Sequence, residues 1–353
     1  MSQYRAGLRV SEYVLEEPLG AGTFGEVWQA RHHVWDGERV AVKLPTEPEY
    51  VRYLQHEGVV VHGLRHPNIV RVIGLDPYAD PPYLVMELVR GPSLRQVIDD
   101  HPSGLDIPIV FTVLRGILNG LAAAHAAHVV HRDLKPGNIL LNLDGRPLAE
   151  LRPEDVKIGD FGFGVANADA LHSIVMQSAS IEREARNNAL TGTLAYMAPE
   201  VRDGEQPPSP RSDLYALGVI LHEMLTGERP VGTDLPSTLR PDVPPLLDEI
   251  FRRLYARVDR RYESAAAVLS DLETHRTAAR RAAPAEEPPS TGPARTPPRC
   301  PACDTPTEPG DQFCTQCGRQ LVARVRRCAS CGAFPGPEDR FCIFCGMALT
   351  REG

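Results

Sequence analysis

The sequence predicts an α+β fold, with a sheet-rich first part and a mainly helical second part, followed by a small cysteine-rich tail. Residues 10 to 90 alternate three short β-like runs, Arg39–Leu44, Ile69–Ile73 and Tyr83–Leu88, with one helical segment, whereas residues 91 to 275 follow a helical pattern. All 8 cysteines lie after residue 299. The chain therefore divides into a large globular region and a short module whose cysteines serve one local task.

Composition indicates a globular protein with an ordinary core. Hydrophobic residues make up 42% and charged residues 24% of the 353 residues. The formal net charge of -8 disfavours the global electrostatics of a nucleic-acid binder. The first ten residues lack the apolar segment of a signal peptide, and the apolar stretch 107–130 contains Pro108, Arg115 and His125. We therefore expect a buried helix there rather than a membrane span, no membrane partner and a cytoplasmic location.

Three regions follow one another along the chain. Residues 10–275 form the globular domain, residues 276–299 are rich in proline and alanine, and residues 300–349 carry the cysteines. Because the middle region has almost no large apolar residue, we expect a semi-extended linker. The tail repeats itself at a spacing of 28, since RCPAC aligns with RCASC and DQFCTQCGRQL with DRFCIFCGMAL.

A glycine-rich turn opens the globular domain. Gly20, Gly22 and Gly25 form GxGxxG, and Val27 follows two residues later. Glycine has no Cβ, so backbone amides in such a turn can approach phosphates closely. A tight hairpin that binds nothing is the alternative for this motif taken alone.

A lysine and a glutamate follow on the next two elements. Ala41 and Lys43 would share one face of a strand, although a solvated surface lysine is the alternative. The next segment, 49–64, has a helical stripe at three- and four-residue spacing: Leu54, Glu57, Val61 and Leu64. A carboxylate on an apolar face is costly unless it is paired, so Lys43 is the expected partner of Glu57.

Polar residues are concentrated in the stretch HRDLKPGNIL, between two apolar runs. It contains Asp133, Lys135 and Asn138, and Asp160 follows an alternating strand at 156–159. A loop held by buried flanks is a good place to fix reacting groups. Carboxylate and amide oxygens are also the ligands that magnesium prefers.

These motifs, in this order and spacing, resemble those of the protein kinase family. The resemblance covers residues 13–273 and includes Asp160-Phe161-Gly162 and Ala198-Pro199-Glu200. Lys135 stands two residues after Asp133, as in the Ser/Thr branch, and the compact C-terminal part resembles the eukaryotic-like kinases of bacteria. The resemblance implies a bilobal fold, with an antiparallel sheet plus one helix in the N-lobe and a mainly helical C-lobe.

The resemblance also implies the roles of the site residues. Asp133 would accept the proton of the substrate hydroxyl, Lys135 would steady the transferred phosphate, and the Lys43–Glu57 pair would be catalytic. Asn138 and Asp160 would hold magnesium or manganese. The ATP-binding residues would be Leu19, Gly20, Gly22, Gly25, Val27, Ala41, Lys43, Glu87 and Val89.

Three further matches are structural. Met86 resembles the gatekeeper beside the adenine, and Asp213 resembles the aspartate that anchors the catalytic loop. Glu200 would pair with Arg261 below the substrate-binding segment.

Arg132, next to Asp133, is typical of kinases that are switched by phosphorylation of the activation segment. We therefore expect autophosphorylation at one or more of four residues: Ser173, Ser178, Ser180 and Thr191. The sequence departs from the family at Gly58, which weakens the helix that carries Glu57, and in the short, proline-rich stretch 227–246.

The cysteines form four CxxC pairs: Cys300/Cys303, Cys314/Cys317, Cys328/Cys331 and Cys342/Cys345. Two such pairs can complete a tetrahedral zinc site, whereas disulfides and redox-active pairs are the alternatives. The repeat assigns one structural zinc to residues 300/303/314/317 and one to 328/331/342/345. The tail thus resembles a double zinc ribbon, and its partner is left open between a protein, a nucleic acid and its own kinase lobe.

The function expected from this resemblance is a Ser/Thr protein kinase that uses ATP and magnesium and carries a recognition or regulatory zinc-ribbon tail. A scaffold without activity is disfavoured because Lys43, Asp133 and Asp160 are all present. Nucleic-acid binding by the ribbons, tuned by phosphorylation, is a second alternative. The sequence does not identify the protein substrate or the activating signal.

Overall fold

The computed structural model describes residues 4–22, 25–35, 37–46, 51, 62–161, 194–232, 234–282, 299–307, 313–314, 316–322, 327–329, 331–332 and 349. The chain divides into two compact units, Met1–Arg280 and Arg281–Gly353. Most of the predicted helix 49–64, including Glu57 and Gly58, lies outside the described residues. The same holds for the activation segment from 162 to 193, with its four predicted phosphorylation sites, and for Cys342 and Cys345.

A six-stranded antiparallel sheet forms the N-lobe of the first unit. Its strands are β1 Arg9–Val10, β2 Tyr13–Gly22, β3 Gly25–His32, β4 Arg39–Pro45, β5 Val72–Asp76 and β6 Tyr83–Glu87. They are arranged in the order β1-β2-β3-β4-β6-β5. The antiparallel N-lobe sheet predicted from the sequence is therefore confirmed.

The predicted alternation along β4 is visible in the way that its two faces are buried. Val42 and Leu44 pack with Trp28 in a core that covers the outer face of the sheet. Ala41 belongs instead to the main core, which continues into the C-lobe. Lys43 alternates with Val42 and Leu44 and so lies on the same side as Ala41.

One strand begins later than the sequence predicts. The apolar run Ile69–Ile73 suggested a strand, but β5 starts at Val72. Ile69 instead forms a bridge with Ile158, and the amide of Val70 donates to the carbonyl of Ile158 at 2.9 Å. The start of the run thus pairs with a short strand of the C-lobe instead of with β6, and Ile69 is almost completely buried.

The C-lobe is mainly helical, as predicted. Its helices are α1 Leu94–Asp99, α2 Ile107–Ala126, α3 Pro199–Arg202, α4 Pro210–Thr226, α5 Pro236–Leu239, α6 Pro245–Leu254 and α7 Ala265–Ala282, and a two-stranded sheet joins β7 Ile139–Leu141 to β8 Val156–Ile158. Helix α4 is buried along nearly its whole length, so it forms the centre of the lobe.

Helix α2 is long and apolar enough to cross a membrane, and it is the one such helix among the described residues. Its buried residues include Val113, Leu114 and Ile117, which belong to the main core. A Cβ on Gly116 would overlap Val156, and one on Gly120 would crowd the backbone of Asn68. This close packing is that of a core helix, which is what the sequence predicts for the stretch.

The end of helix α7 and the short stretch 227–246 show details that the sequence did not predict. Helix α7 continues to Ala282, past the predicted linker boundary at residue 276, because the segment TAARRA consists mostly of strong helix formers. In the short stretch 227–246, the four-residue helix α5 is the one helix that lies wholly within the stretch among the described residues, and α6 begins at its end. The amide of Ser237 in α5 donates to the carboxylate of Asp248 in α6 at 3.1 Å, which joins the two helices.

Candidate active site and zinc ribbon

The predicted catalytic loop, residues 131–138, is anchored by a buried carboxylate on α4. Asp213 accepts hydrogen bonds from the amides of His131 and Arg132, each at 2.9 Å, and lies 2.8 Å from Nε2 of His125. These bonds hold Arg132 at a φ of 72°, a left-handed conformation that costs a non-glycine residue of order 1–3 kcal/mol. The predicted anchoring role of Asp213 is confirmed.

His131 connects this loop to the strand end that carries Asp160. Its Nε2 donates to the carbonyl of Gly159 at 2.9 Å, and its ring packs against Phe161 with the centroids 4.6 Å apart. The amide of Gly159 donates in turn to the carbonyl of Asn138 at 2.9 Å. The two loops that contain the predicted site residues are therefore fixed to each other.

Three predicted residues meet in the catalytic loop. Nζ of Lys135 donates to Oδ2 of Asp133 at 2.8 Å. Nδ2 of Asn138 donates to the backbone carbonyl of Asp133 at 2.8 Å and to its Oδ2 at 3.3 Å. The Asp133 carboxylate is thus held in one position and lines a narrow pocket together with Tyr196 and Met197.

Lys43 reaches the site from the N-lobe. Its Nζ lies 2.8 Å from Oδ1 of Asp160, and its side chain is only 6% exposed. Burial by itself raises the pKa of Asp160, but the charge and hydrogen bond of Lys43 outweigh it and hold this pKa below its usual value. The expected pairing of Lys43 with Glu57 lies outside the described residues.

Asn138 and Asp160 offer the oxygen donors that a magnesium ion needs. The amide nitrogen of Asn138 is engaged by Asp133, which turns its oxygen to the other side. The carboxylate of Asp160 is ionised, since its pKa is lowered, and its side chain is 35% exposed. The residues present therefore fit a hard divalent cation.

The glycine-rich turn is the end of the β2–β3 hairpin. Gly20 pairs with Val27, and Gly22 pairs with Gly25 across the turn. A Cβ on Gly25 would overlap the carbonyl oxygen of Leu44, so this glycine allows β3 to lie close to β4.

The predicted ATP-binding residues Glu87 and Val89 lie at the end of β6, in a segment that we call the hinge, and this segment borders an open cavity. Met86, at 7% exposed, pairs with Ala41 across β4 and β6. The amide of Glu87 donates to the carbonyl of Arg71, so it is not available to an adenine. Beside Leu88 and Val89 lies a cavity of about 530 Å³, bounded also by Leu19 and Leu143. This volume is typical of a small-molecule site.

A buried ion pair supports the segment that follows the activation segment. Nη1 of Arg261 lies 2.8 Å from Oε1 of Glu200, and their side chains are 0% and 8% exposed. Arg261 also donates to the backbone carbonyls of Arg211 and Ala256. The predicted Glu200–Arg261 pair is confirmed. Beside it, Tyr196 donates to Oε2 of Glu223 at 2.6 Å.

Replacing Arg261 by methionine should lower the free energy of unfolding at pH 7 by about 3–5 kcal/mol, because Glu200 would remain buried without its partner. Burial raises the pKa of Glu200, but its bonds to Arg261 hold this pKa below the usual value. The pair is therefore formed at neutral pH and lost as the pH falls through the lowered pKa of Glu200. Urea unfolding at pH 7 and about pH 4 should show a smaller loss at acid pH.

The matched control is Arg252→Met, which breaks an exposed pair with Glu249 at 3.7 Å. We expect this variant to lose about 0–1 kcal/mol. Equal losses in the two variants at pH 7 would show that the Glu200–Arg261 pair has no special role in stability.

Four cysteines of the tail form one cluster. The Sγ atoms of Cys300, Cys303, Cys314 and Cys317 all lie within 4.8 Å of one another. The Cys300–Cys317 and Cys303–Cys314 separations are 3.6 and 3.5 Å. Four thiolates at about 2.3 Å from one zinc ion would be about 3.8 Å apart, so the cluster fits structural zinc. All six described cysteines are free thiols, which does not support the disulfide alternative.

The CxxC turns repeat one geometry. In three of the pairs, the residue after the second cysteine has a left-handed backbone conformation, and its amide donates to the carbonyl of the first cysteine. These residues are Asp304, Gly318 and Gly332. Arg299 donates to the carbonyl of Asp304 at 2.8 Å, and Arg327, which is 28 positions later, donates to that of Gly332 at 3.0 Å. The turn that begins at Cys328 therefore matches the turn that begins at Cys300, whereas Cys342 and Cys345 lie outside the described residues.

Sequence reasoning missed two partners of the site residues. His125 on α2 holds Asp213, and Lys157 on β8 lies 2.9 Å from Oε1 of Glu87. Both contacts join residues that are far apart in sequence. The one local signal was a histidine and a lysine within mostly apolar elements, where a buried polar group needs a partner.

Each of the two units matches a known protein family. The family described as protein kinase domain matches residues 13–272, and the family described as double zinc ribbon matches residues 300–346. The crystal structure of the Mycobacterium tuberculosis PknI kinase domain is similar, with a TM-score of 0.57 and 22% identity, over 77% of this chain and 99% of that one. At this identity the likeness concerns the fold.

The curated relatives are bacterial proteins. Serine/threonine-protein kinase PkaA of Streptomyces coelicolor is 36% identical over 239 residues, which are 63% of this chain and 40% of PkaA. Serine/threonine-protein kinase PknL of Mycobacterium tuberculosis is 33% identical over 285 residues, which are 74% of this chain and 65% of PknL. The chain thus spans less than two thirds of the length of these relatives.

Proposed function

This chain belongs to the protein kinase family, and from that premise we propose that it transfers the γ-phosphate of ATP to serine and threonine hydroxyls of proteins. The observation that carries the proposal is the fixed arrangement of Asp133, Lys135 and Asn138 beside the Lys43–Asp160 pair. Positioned charges of this kind are what phosphoryl transfer requires, since little covalent chemistry is asked of the protein.

In the proposed reaction, the substrate hydroxyl oxygen bonds to the γ-phosphorus, the bond to the bridging oxygen of ADP breaks, and the hydroxyl proton passes to Asp133. The bond from Lys135 holds the Asp133 carboxylate in place and puts a positive charge beside the transferred group. Asn138 and Asp160 would hold magnesium or manganese, which when bound neutralises charge on the phosphates.

The nucleotide would lie between the sheet and the catalytic loop. Lys43 would face its phosphates and Glu57 would pair with Lys43, and Val27 and Ala41 would cover the base from above. Glycines 20, 22 and 25 would allow the turn to approach the phosphates. Leu19, Val89 and the carbonyl of Glu87 would border the adenine, beside the cavity at the hinge.

The tail would hold two structural zinc ions, the second through Cys328, Cys331, Cys342 and Cys345. We assign the tail a recognition or regulatory role toward a partner that is either a protein or a nucleic acid. We also propose a cytoplasmic location and autophosphorylation at one or more of four residues: Ser173, Ser178, Ser180 and Thr191. Peptide mapping of a fully active preparation tests autophosphorylation, and a bare segment would refute it.

The activity is tested by giving the purified, zinc-loaded chain a generic basic protein substrate and ATP labelled at either the γ- or the α-phosphate, with magnesium. We expect label from the γ-position alone, on phosphoserine or phosphothreonine, and none when magnesium is chelated. Label on tyrosine would refute the Ser/Thr assignment. Nucleotide binding without any transfer would favour an inactive scaffold that presents the ribbons.

A further inference from the structure

A tyrosine that precedes the matched kinase domain is buried in the N-lobe. Tyr4 is 6% exposed and packs in the outer-face core with Trp28 and Leu44. Its hydroxyl donates to the carbonyl of Pro45 at 2.6 Å, in a buried contact between residues 41 positions apart. The family match begins only at residue 13, so no family role applies to this side chain.

The chain around Tyr4 is fixed to the sheet. The amide of Gly7 donates to the carbonyl of Leu15 at 2.8 Å, and the amide of Leu15 donates to the carbonyl of Leu8 at 2.9 Å. Residues 4–8, which we call the N-terminal strap, are tied down at both Tyr4 and Leu8.

The strap is attached at the point where two parts of the nucleotide site meet. Pro45 ends β4 and pairs with Gly25, the first residue of β3 after the glycine-rich turn. Lys43 lies two residues before Pro45 on the same strand, and its side chain leaves the sheet on the face opposite the outer-face core, where it contacts Asp160. The Tyr4 hydroxyl therefore fixes the backbone that carries both the catalytic lysine and the base of the glycine-rich turn.

We propose that Tyr4 is a positioning residue for nucleotide binding, which holds the end of β4 from the outer face of the sheet. The inference rests on the proposed use of ATP. Without the hydroxyl, the Pro45 carbonyl loses its buried donor, and Lys43 and the glycine-rich turn gain freedom that nucleotide binding must then remove. The ring of Tyr4 would still fill the outer-face core, so a phenylalanine separates positioning from packing.

The test is Tyr4→Phe in the full chain, with Tyr78→Phe as the matched control because Tyr78 is 87% exposed in the turn before β6. We expect the Kd of magnesium ADP and the KM of ATP to rise about threefold to tenfold in Tyr4→Phe, which corresponds to the loss of about one hydrogen bond. The kcat at saturating ATP should stay within about twofold. Tyr78→Phe should change none of these constants.

Two results would overturn the inference. If Tyr4→Phe lowers the Tm but binds nucleotide as tightly as the wild-type chain, Tyr4 contributes to stability alone. If the wild-type chain itself binds no nucleotide, the inference fails together with the proposed function. The first of these results refutes the positioning role and leaves the proposed function standing.

Discussion

Replacing Lys43 by methionine is expected to lower the rate of phosphoryl transfer by about 10²- to 10³-fold, the effect of removing one preorganised charge from an active site. The Lys43 ammonium is buried and lies 2.8 Å from the Asp160 carboxylate. Methionine keeps a similar length without the charge. The measurement is kcat for γ-phosphate transfer at saturating ATP and magnesium.

The same variant should change how magnesium binding depends on pH. In the wild-type chain, Lys43 holds the pKa of Asp160 below its usual value against the effect of burial. Without the ammonium, the main effect that lowers this pKa is lost, so the pKa of Asp160 rises and its carboxylate takes up a proton at higher pH. The loss of magnesium affinity on acidification should therefore begin at higher pH in Lys43→Met.

The control for Lys43→Met is Arg252→Met, which removes a positive charge from a surface pair with Glu249. We expect the same kcat and the same pH dependence of magnesium affinity as in the wild-type chain, since both partners are more than half exposed. If magnesium affinity is lost over the same pH range in Lys43→Met as in the wild-type chain, the assigned pairing of Lys43 with Asp160 is contradicted.

The second large effect concerns zinc. The full chain should contain two zinc ions, and Cys317→Ser should contain one, because the Cys300 cluster loses a ligand. The free energy of structural zinc binding is about 10–16 kcal/mol in small zinc domains, and the tail has few apolar residues to replace it. Removal of both ions with a strong chelator should therefore unfold the tail.

Metal content by mass spectrometry and amide exchange across residues 299–349 measure this effect. Gln316→Ala is the control, since Gln316 is an exposed residue between two ligands. It should keep both zinc ions. Two zinc ions in Cys317→Ser, or disulfides in the purified wild-type tail, would contradict the assigned site.

Local patterns in the sequence predicted much of this molecule. The alternation of Ala41 and Lys43 with Val42 placed the lysine on the cleft side of β4, because side chains on a strand alternate between its two faces. The 28-residue repeat likewise predicted which four cysteines form the Cys300 cluster. These features depend on contacts between neighbouring residues or on a repeated geometry.

Contacts across long sequence separations were not predictable in the same way. Ile69 looks like the start of β5, but its partner is Ile158 in the C-lobe. Tyr4 looks like one aromatic residue in a polar chain end, and only the folded sheet brings it to Pro45. The left-handed φ of Arg132 depends on two bonds to Asp213, so no local pattern indicates it.

Helix length was underestimated for a different reason. The proline-rich composition of residues 276–299 indicated a linker throughout, yet α7 continues to Ala282. The alanines and arginines before Pro284 favour a helix, and the first proline of the segment comes only afterwards.

The most direct test of the proposed activity compares γ-phosphate transfer to a protein substrate by the wild-type chain and by Asp133→Asn. Asparagine keeps the shape of the side chain but cannot accept the hydroxyl proton, so kcat should fall by about 10²- to 10⁴-fold. The Kd of magnesium ATP should stay within about twofold. Equal rates in the two proteins would contradict the role of Asp133, and a wild-type chain that binds ATP but transfers no phosphate would contradict the proposed kinase activity.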